Sequence, residues 1–101
     1  MDQLLLSDES RFDILDAVSW YEKHVSGLGK ELENCLDEGF NKISSNPLHY
    51  QKRYKNLRIH FIDKFPYGIH YLFEENAIKV FGVFHTSRSP RNWTSRLKQS
   101  K

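Results

Sequence analysis

The sequence predicts an α+β fold: a small antiparallel sheet packed against an N-terminal helical hairpin. Three observations lead there. Apolar residues recur at helical spacing through residues 7–45, the pattern changes to alternation after residue 56, and Gly27-Leu28-Gly29 divides the helical part in two. The element order is strand, helix, helix, strand, strand, strand.

Each element has its own signature. Residues 2–6 include Leu4-Leu5-Leu6 and suit a short strand. Ser7 suits a helix N-cap, because its hydroxyl can accept an unpaired N–H of the first turn. Asp8 and Glu9 follow, where negative charge favours the positive end of the helix dipole. Ile14, Ala17, Val18, Tyr21 and Val25 form the apolar face of this first helix. Leu28, Leu32, Leu36, Gly39, Phe40 and Ile43 form that of a second. Asn46-Pro47 stops it, since the residue before proline is pushed out of helical geometry. The short link makes the helices antiparallel neighbours.

Alternation then begins. Leu57, Ile59 and Phe61 alternate with Arg58 and His60, and Pro66 interrupts the chain. Tyr67, Ile69, Tyr71 and Phe73 alternate again, Glu75-Asn76 suits a two-residue turn, and Ile78, Val80, Gly82 and Phe84 complete the last strand. Uninterrupted pairing across that turn places Phe73 opposite Ile78, Tyr71 opposite Val80 and Tyr67 opposite Phe84. That face is expected beneath the helices. The other face carries His70, Leu72, Lys79, Phe81, Val83 and His85, a mixture unusual for a surface left to water. A partner or the C-terminal segment is expected to cover it.

The 101 residues make room for one domain, 1–101, ending in a basic segment, 86–101. Hydrophobic residues at 39% argue against disorder. Cys35 is the only cysteine, so no internal disulfide forms, and it reads as a packed helix residue. The start has neither the basic lead nor the apolar run of a secretory signal, and no run approaches a membrane span. A soluble cytoplasmic chain is expected, with no membrane partner and no cofactor.

Charge is divided unevenly. Residues 1–45 hold four Lys/Arg and ten Asp/Glu, and residues 46–101 hold eleven and three. The halves carry −6 and +8, which points to an acidic partner for the second half or to neutralisation between the halves.

Taken together, Phe12-Asp13-Ile14 to Trp20-Tyr21-Glu22, Gly27-Leu28-Gly29, Asn46-Pro47, Lys64-Phe65-Pro66-Tyr67-Gly68-Ile69-His70-Tyr71, Phe84-His85-Thr86-Ser87-Arg88-Ser89-Pro90 and Trp93 resemble the RelE/ParE superfamily of toxins. These belong to type II toxin–antitoxin systems, plasmid stabilisation proteins among them. The likeness runs over about nine-tenths of the chain, and its implied fold agrees with the periodicity. It implies a cognate antitoxin from a separate gene, growth inhibition, and one of two targets: DNA gyrase, bound by ParE-like members, or mRNA on the ribosome, cut by RelE-like members. Oligomeric state is left open.

Cleavage of RNA by its 2′-OH needs a base, an acid and cations around the phosphate. The candidates are His85 as acid or base, with Arg58, Arg88 and Lys55 as cations. Histidine as a residue type suits acid–base work near neutral pH, although one at a strand end is commonly structural. His60 and His70 are placed near the same surface. No metal-ligand motif is present, so no metal is expected. One departure from the RelE-like pattern matters. Gly68 stands where those enzymes keep an arginine, and Trp93 or Thr94 where they keep a tyrosine; only Arg88 matches. The ParE-like reading is therefore preferred. Its target-binding candidates are His85, Arg88, Arg91, Trp93 and Arg96. The antitoxin-binding candidates are Arg58, His70, Lys79, Phe81 and Val83. A non-toxic interaction module is the plain alternative.

Overall fold

The computed structural model describes residues 3–87. Strand β1 (Gln3–Leu6) leads into helices α1 (Asp8–His24) and α2 (Leu28–Ser45), then strands β2 (Lys52–Tyr54), β3 (Leu57–Phe61), β4 (Tyr67–Glu74) and β5 (Ala77–His85). The strands form one sheet in the order β1-β5-β4-β3-β2. The α+β class and the helical hairpin are as expected from sequence. The sheet is mixed, however, not purely antiparallel: β1 lies parallel to β5, pairing Leu4 with Ile78 and Leu6 with Val80. The helical hairpin and strands β2–β4 all lie between β1 and β5 in the chain, ample length for the crossover that a parallel pair needs. Strand β2 is an addition. Its three residues are too few to show alternation, and its pairing with β3 is irregular between Lys52 and Tyr54.

Local chemistry explains the helix ends. Ser7 caps α1 by accepting the Ser10 N–H at 3.1 Å. Gly27 adopts a left-handed φ of 89°, which an L side chain resists, and opens α2. No side chain of its own caps α2. Glu22 of α1 does so instead, accepting the Gly27 and Gly29 N–H groups at 2.9 Å each. These bonds, the Gly27 one foremost, hold the Glu22 carboxyl below its ordinary range. At the β4–β5 turn Glu75 and Asn76 have φ of 53° and 60°, as a two-residue type I′ turn requires, so the expected hairpin stands without a glycine.

The main core lies between the helices and the sheet. Leu32, Leu36 and Ile43 of α2 and Ala17 of α1 pack there with Ile69, Tyr71, Ile78, Val80 and Val83. A second cluster lies on the sheet's opposite face and joins Leu57, Ile59 and Phe81, with Leu72 against them. Val25, expected on the core face of α1, is 56% exposed, because α1 has ended by then and Val25 is its C-cap.

The register of β4 and β5 corrects a second expectation. Pairing runs as expected from Glu74–Ala77 to Tyr71–Val80, then skips Phe81, so His70 faces Gly82 and Tyr67 faces His85. Phe81 is the extra residue of a β-bulge. A one-residue offset exchanges the two faces of everything beyond it. Val83 therefore enters the helix-side core, and Phe84 turns to the opposite face, its ring 4.8 Å from that of His70. His85 falls on the helix side, its ring 5.3 Å from Tyr67.

Candidate functional site

Beyond Val80, where β1 ends its pairing, α1 occupies the edge of β5. The Ser7 N–H and the Ser10 hydroxyl both donate to the Val80 carbonyl, at 3.0 Å each. Three residues on, the Asp13 carboxylate accepts the Val83 N–H at 3.0 Å. Ser7, Ser10 and Asp13 follow the i, i+3 spacing that puts side chains along one side of a helix. They satisfy backbone groups that a neighbouring strand would otherwise take.

Past Asp13 the helix and strand separate into a groove of about 330 Å³, lined by Asp13, Asp16, Ala17, Trp20, Tyr21, Tyr67, Val83 and His85. Its floor is apolar, its walls are aromatic, and Asp16 and His85 stand on its rim. Trp20 is held from two sides. The His24 ring stacks on it at 4.0 Å, and Tyr21 meets it edge-on at 4.9 Å. His24 is itself fixed by a 2.7 Å bond between its Nδ1 and the Trp20 carbonyl oxygen. With Nδ1 protonated to make that bond, the ring is oriented against the indole.

His85 enters the groove with one nitrogen engaged. Its Nδ1 accepts from the Ser87 N–H at 3.0 Å and lies 2.8 Å from the Ser87 hydroxyl. In the neutral ring the proton then sits on Nε2, which can donate but not accept. This arrangement does not suit a resting general base.

Arg58 lies elsewhere. It pairs with Tyr71 across β3 and β4, on the helix side, and donates to the Tyr50 carbonyl at 2.7 Å. The Tyr71 hydroxyl donates to the Pro47 carbonyl at 2.6 Å. Burial pushes that phenol up to about 12, so it stays neutral. Together Arg58 and Tyr71 hold residues 47–50 against the sheet. On β4, Tyr71 faces Arg58 while Tyr67 faces His85, four residues along and on the opposite neighbour. Strand rise and spacing then separate the Arg58 and His85 backbones by roughly 16 Å. Two side chains that far apart, with Arg58 tied to a loop, do not close on one phosphate.

The remaining sequence candidates scatter. His70 and Phe81 are buried on the sheet face opposite the helices. Lys79 lies 3.7 Å from both Glu74 and Glu75. Val83 is core, a correction to its expected place on the opposite face. His60 is buried under α2, and desolvation, with Lys42 adding to it, lowers its pKa so that it stays neutral. Arg88, Arg91, Trp93, Thr94 and Arg96 lie outside the described residues. A second cleft beside α2, lined by Glu31, Asn34, Cys35, Glu38, Asp63 and Lys64, holds the buried thiol of Cys35, whose pKa burial raises. A thiol kept protonated is a poor nucleophile. Among the described residues, no three His, Cys, Asp or Glu side chains converge as metal ligands, and no helix is long and apolar enough to cross a membrane.

Sequence reasoning missed Asp16, Trp20 and Tyr67 as groove residues. A signal for them existed. The Ile14–Ala17–Val18–Tyr21 face leaves Phe12, Leu15 and Trp20 outside it, which is more apolar surface than a simple surface helix presents.

This architecture is shared with solved toxin–antitoxin structures. A chain of the chromosomal ParDE TA system from P. aeruginosa superposes with a TM-score of 0.69 at 12% identity, over 84% of this chain and 96% of that one. The isolated E. coli RelE toxin superposes with a TM-score of 0.54 at 11% identity, over the whole of both chains. The chain thus has the RelE/ParE fold. No protein-family model and no curated protein matches its sequence.

Proposed function

We propose that the chain is the toxin of a type II toxin–antitoxin pair, neutralised by a cognate antitoxin, and that it arrests growth in the cytoplasm by binding DNA gyrase without cutting RNA. The shared fold supports the toxin class, since one of the two similar structures comes from a ParDE TA system and the other is the RelE toxin. The observation that favours binding over cleavage is the separation of Arg58 from His85, with His85 Nδ1 already engaged by Ser87. Gly68 adds to it. A Cβ there would meet the Ile59 side chain at 3.0 Å and the Phe61 ring at 3.3 Å, so β4 has no room for an arginine at that point without repacking. A glycine there offers no cation to a phosphate. The basic half, at +8, supplies the counterpart for an acidic antitoxin or for the gyrase–DNA complex.

The test is induction of the chain by itself in bacteria, alongside gyrase supercoiling with the purified protein. The expected result is inhibited supercoiling, filamentous cells and continued protein synthesis. Prompt collapse of amino-acid incorporation, with mRNA cut at the ribosomal A site and protection by His85→Ala, would instead establish the ribonuclease reading. Harmless expression would overturn the toxin reading itself.

A further inference from the structure

Helix α1, one wall of the groove, shares the acidic sign of residues 1–45 but differs from α2 in exposing large apolar side chains. Helix α1 carries Asp8, Glu9, Asp13, Asp16 and Glu22 against Arg11 and Lys23. Phe12, Asp16 and Trp20, four residues apart, run along one ridge of it, and Leu15 lies beside them. Phe12 is 65% exposed, Leu15 60% and Trp20 55%, all on a helix whose other side is in the core. Exposed aromatic and aliphatic side chains grouped this way mark interaction surfaces more often than scattered ones do. Trp20 is also preorganised: His24 and Tyr21 fix its ring, so little side-chain freedom remains to be lost on binding. An indole face with a carboxylate one turn away attracts a cation by two mechanisms, charge pairing and the ring quadrupole. Among the described residues Asp16 makes no ion pair.

We propose that this ridge and groove form a docking surface for a basic amphipathic segment of a partner protein. An arginine or lysine side chain enters between Asp16 and Trp20 toward Tyr67, and apolar side chains cover Phe12 and Leu15. The chemistry is opposite to that expected for an acidic antitoxin on the basic half, so the two surfaces can be occupied together. The inference goes beyond the toxin reading and does not depend on it.

The probe is a synthetic helical peptide with leucine and arginine on one face, titrated into the full 15N-labelled chain. Its control replaces each arginine by citrulline, which keeps the shape and removes the charge. Saturable shifts are expected at the Trp20 indole N–H, assigned with Trp20→Phe, and at backbone amides of residues 12–24. The citrulline peptide should bind about tenfold or more weakly. Asp16→Asn should weaken the arginine peptide about fivefold, while Asp37→Asn, an equal charge change on the exposed side of α2, should leave it unchanged. Equal loss in both variants, equal binding of the citrulline peptide, or shifts centred away from α1 would overturn the proposal. So would failure to bind, including the case in which the chain's own basic residues already fill the groove. None of these results bears on gyrase or on growth, so this inference and the toxin reading fail separately.

Discussion

Helices α1 and α2 are nearly the same length, lie side by side and pack on the same sheet, yet they treat water differently. Every exposed side chain of α2, from Lys30 and Glu31 through Asp37 to Lys42, is polar. Helix α1 buries Ala17 and Ser10 on one side and exposes Phe12, Leu15 and Trp20 on the other. α2 is thus committed to the core, whereas α1 divides its apolar surface between the core and the outside. Substitutions in α2 should mainly change stability. Those on the outer side of α1 should mainly change binding.

The largest effect expected is at Leu36, which is 2% exposed in the core. Leu36→Ala should cost about 2–5 kcal/mol in urea unfolding, whereas Leu15→Ala should stay within about 0.5 kcal/mol. Similar losses from the two would abolish the comparison. Gly39→Ala comes next. Its Cβ would meet the Ile69 side chain at 2.9 Å and that of Ile62 at 3.1 Å, so overpacking of α2 on the sheet should cost about 1–3 kcal/mol. Ser7→Ala removes the α1 cap and should cost about 1 kcal/mol by the same measurement.

Two titrations sharpen the contrast further. His60 lies under α2 with a folded pKa below its ordinary 6.5. The unfolded chain therefore takes up that proton first. Stability is full above pH 6.5, declines below it, and the loss is complete once the pH falls below the folded value. The difference between the parent chain and His60→Gln in unfolding midpoint should show that decline on acidification. Glu22 works at lower pH. Its folded pKa is depressed below 4.5, so its cap on α2 is fully present above 4.5 and is lost as pH falls through the folded value. Glu22→Gln should flatten only that acid limb. If it instead altered the profile near neutrality, the cap would not be the source. The smallest effect on stability is expected from Phe12→Ser, near zero, although it sits on the ridge proposed to dock a partner.

Much of the fold could be read from sequence because its elements obey local rules. Ser7 acts through its own hydroxyl, and Gly27, Asn46 and the Glu75-Asn76 turn through their own backbones; only the end of α1, at His24 and short of Val25, fell earlier than expected. What escaped was set by tertiary pairing. Gly82 inside the strand is a hint of a bulge, but apolar residues stand on both sides of it and either register buries something, so the hint does not fix the register. The parallel placement of β1 likewise depends on where the helical hairpin delivers the chain. The candidate site was less legible for the same reason: its residues come from α1, β4 and β5, and the faces of β5 could not be assigned without the bulge. Gly68 was legible, because the absence of a side chain needs no register.

The bulge has one more consequence, for comparing this chain with distant relatives. Phe81 is the residue that the register with β4 skips, and Gly82 to His85 pair with β4 as they would if it were missing. A relative lacking that residue would keep every later side chain on the same face. Aligned with it correctly, the two sequences would differ by a single gap opposite Phe81. Without that gap the phrase Val83-Phe84-His85 would be matched one position out of step, and a core residue would be equated with one on the other face. At 12% identity, the placement of that gap decides which residue of a relative is compared with His85.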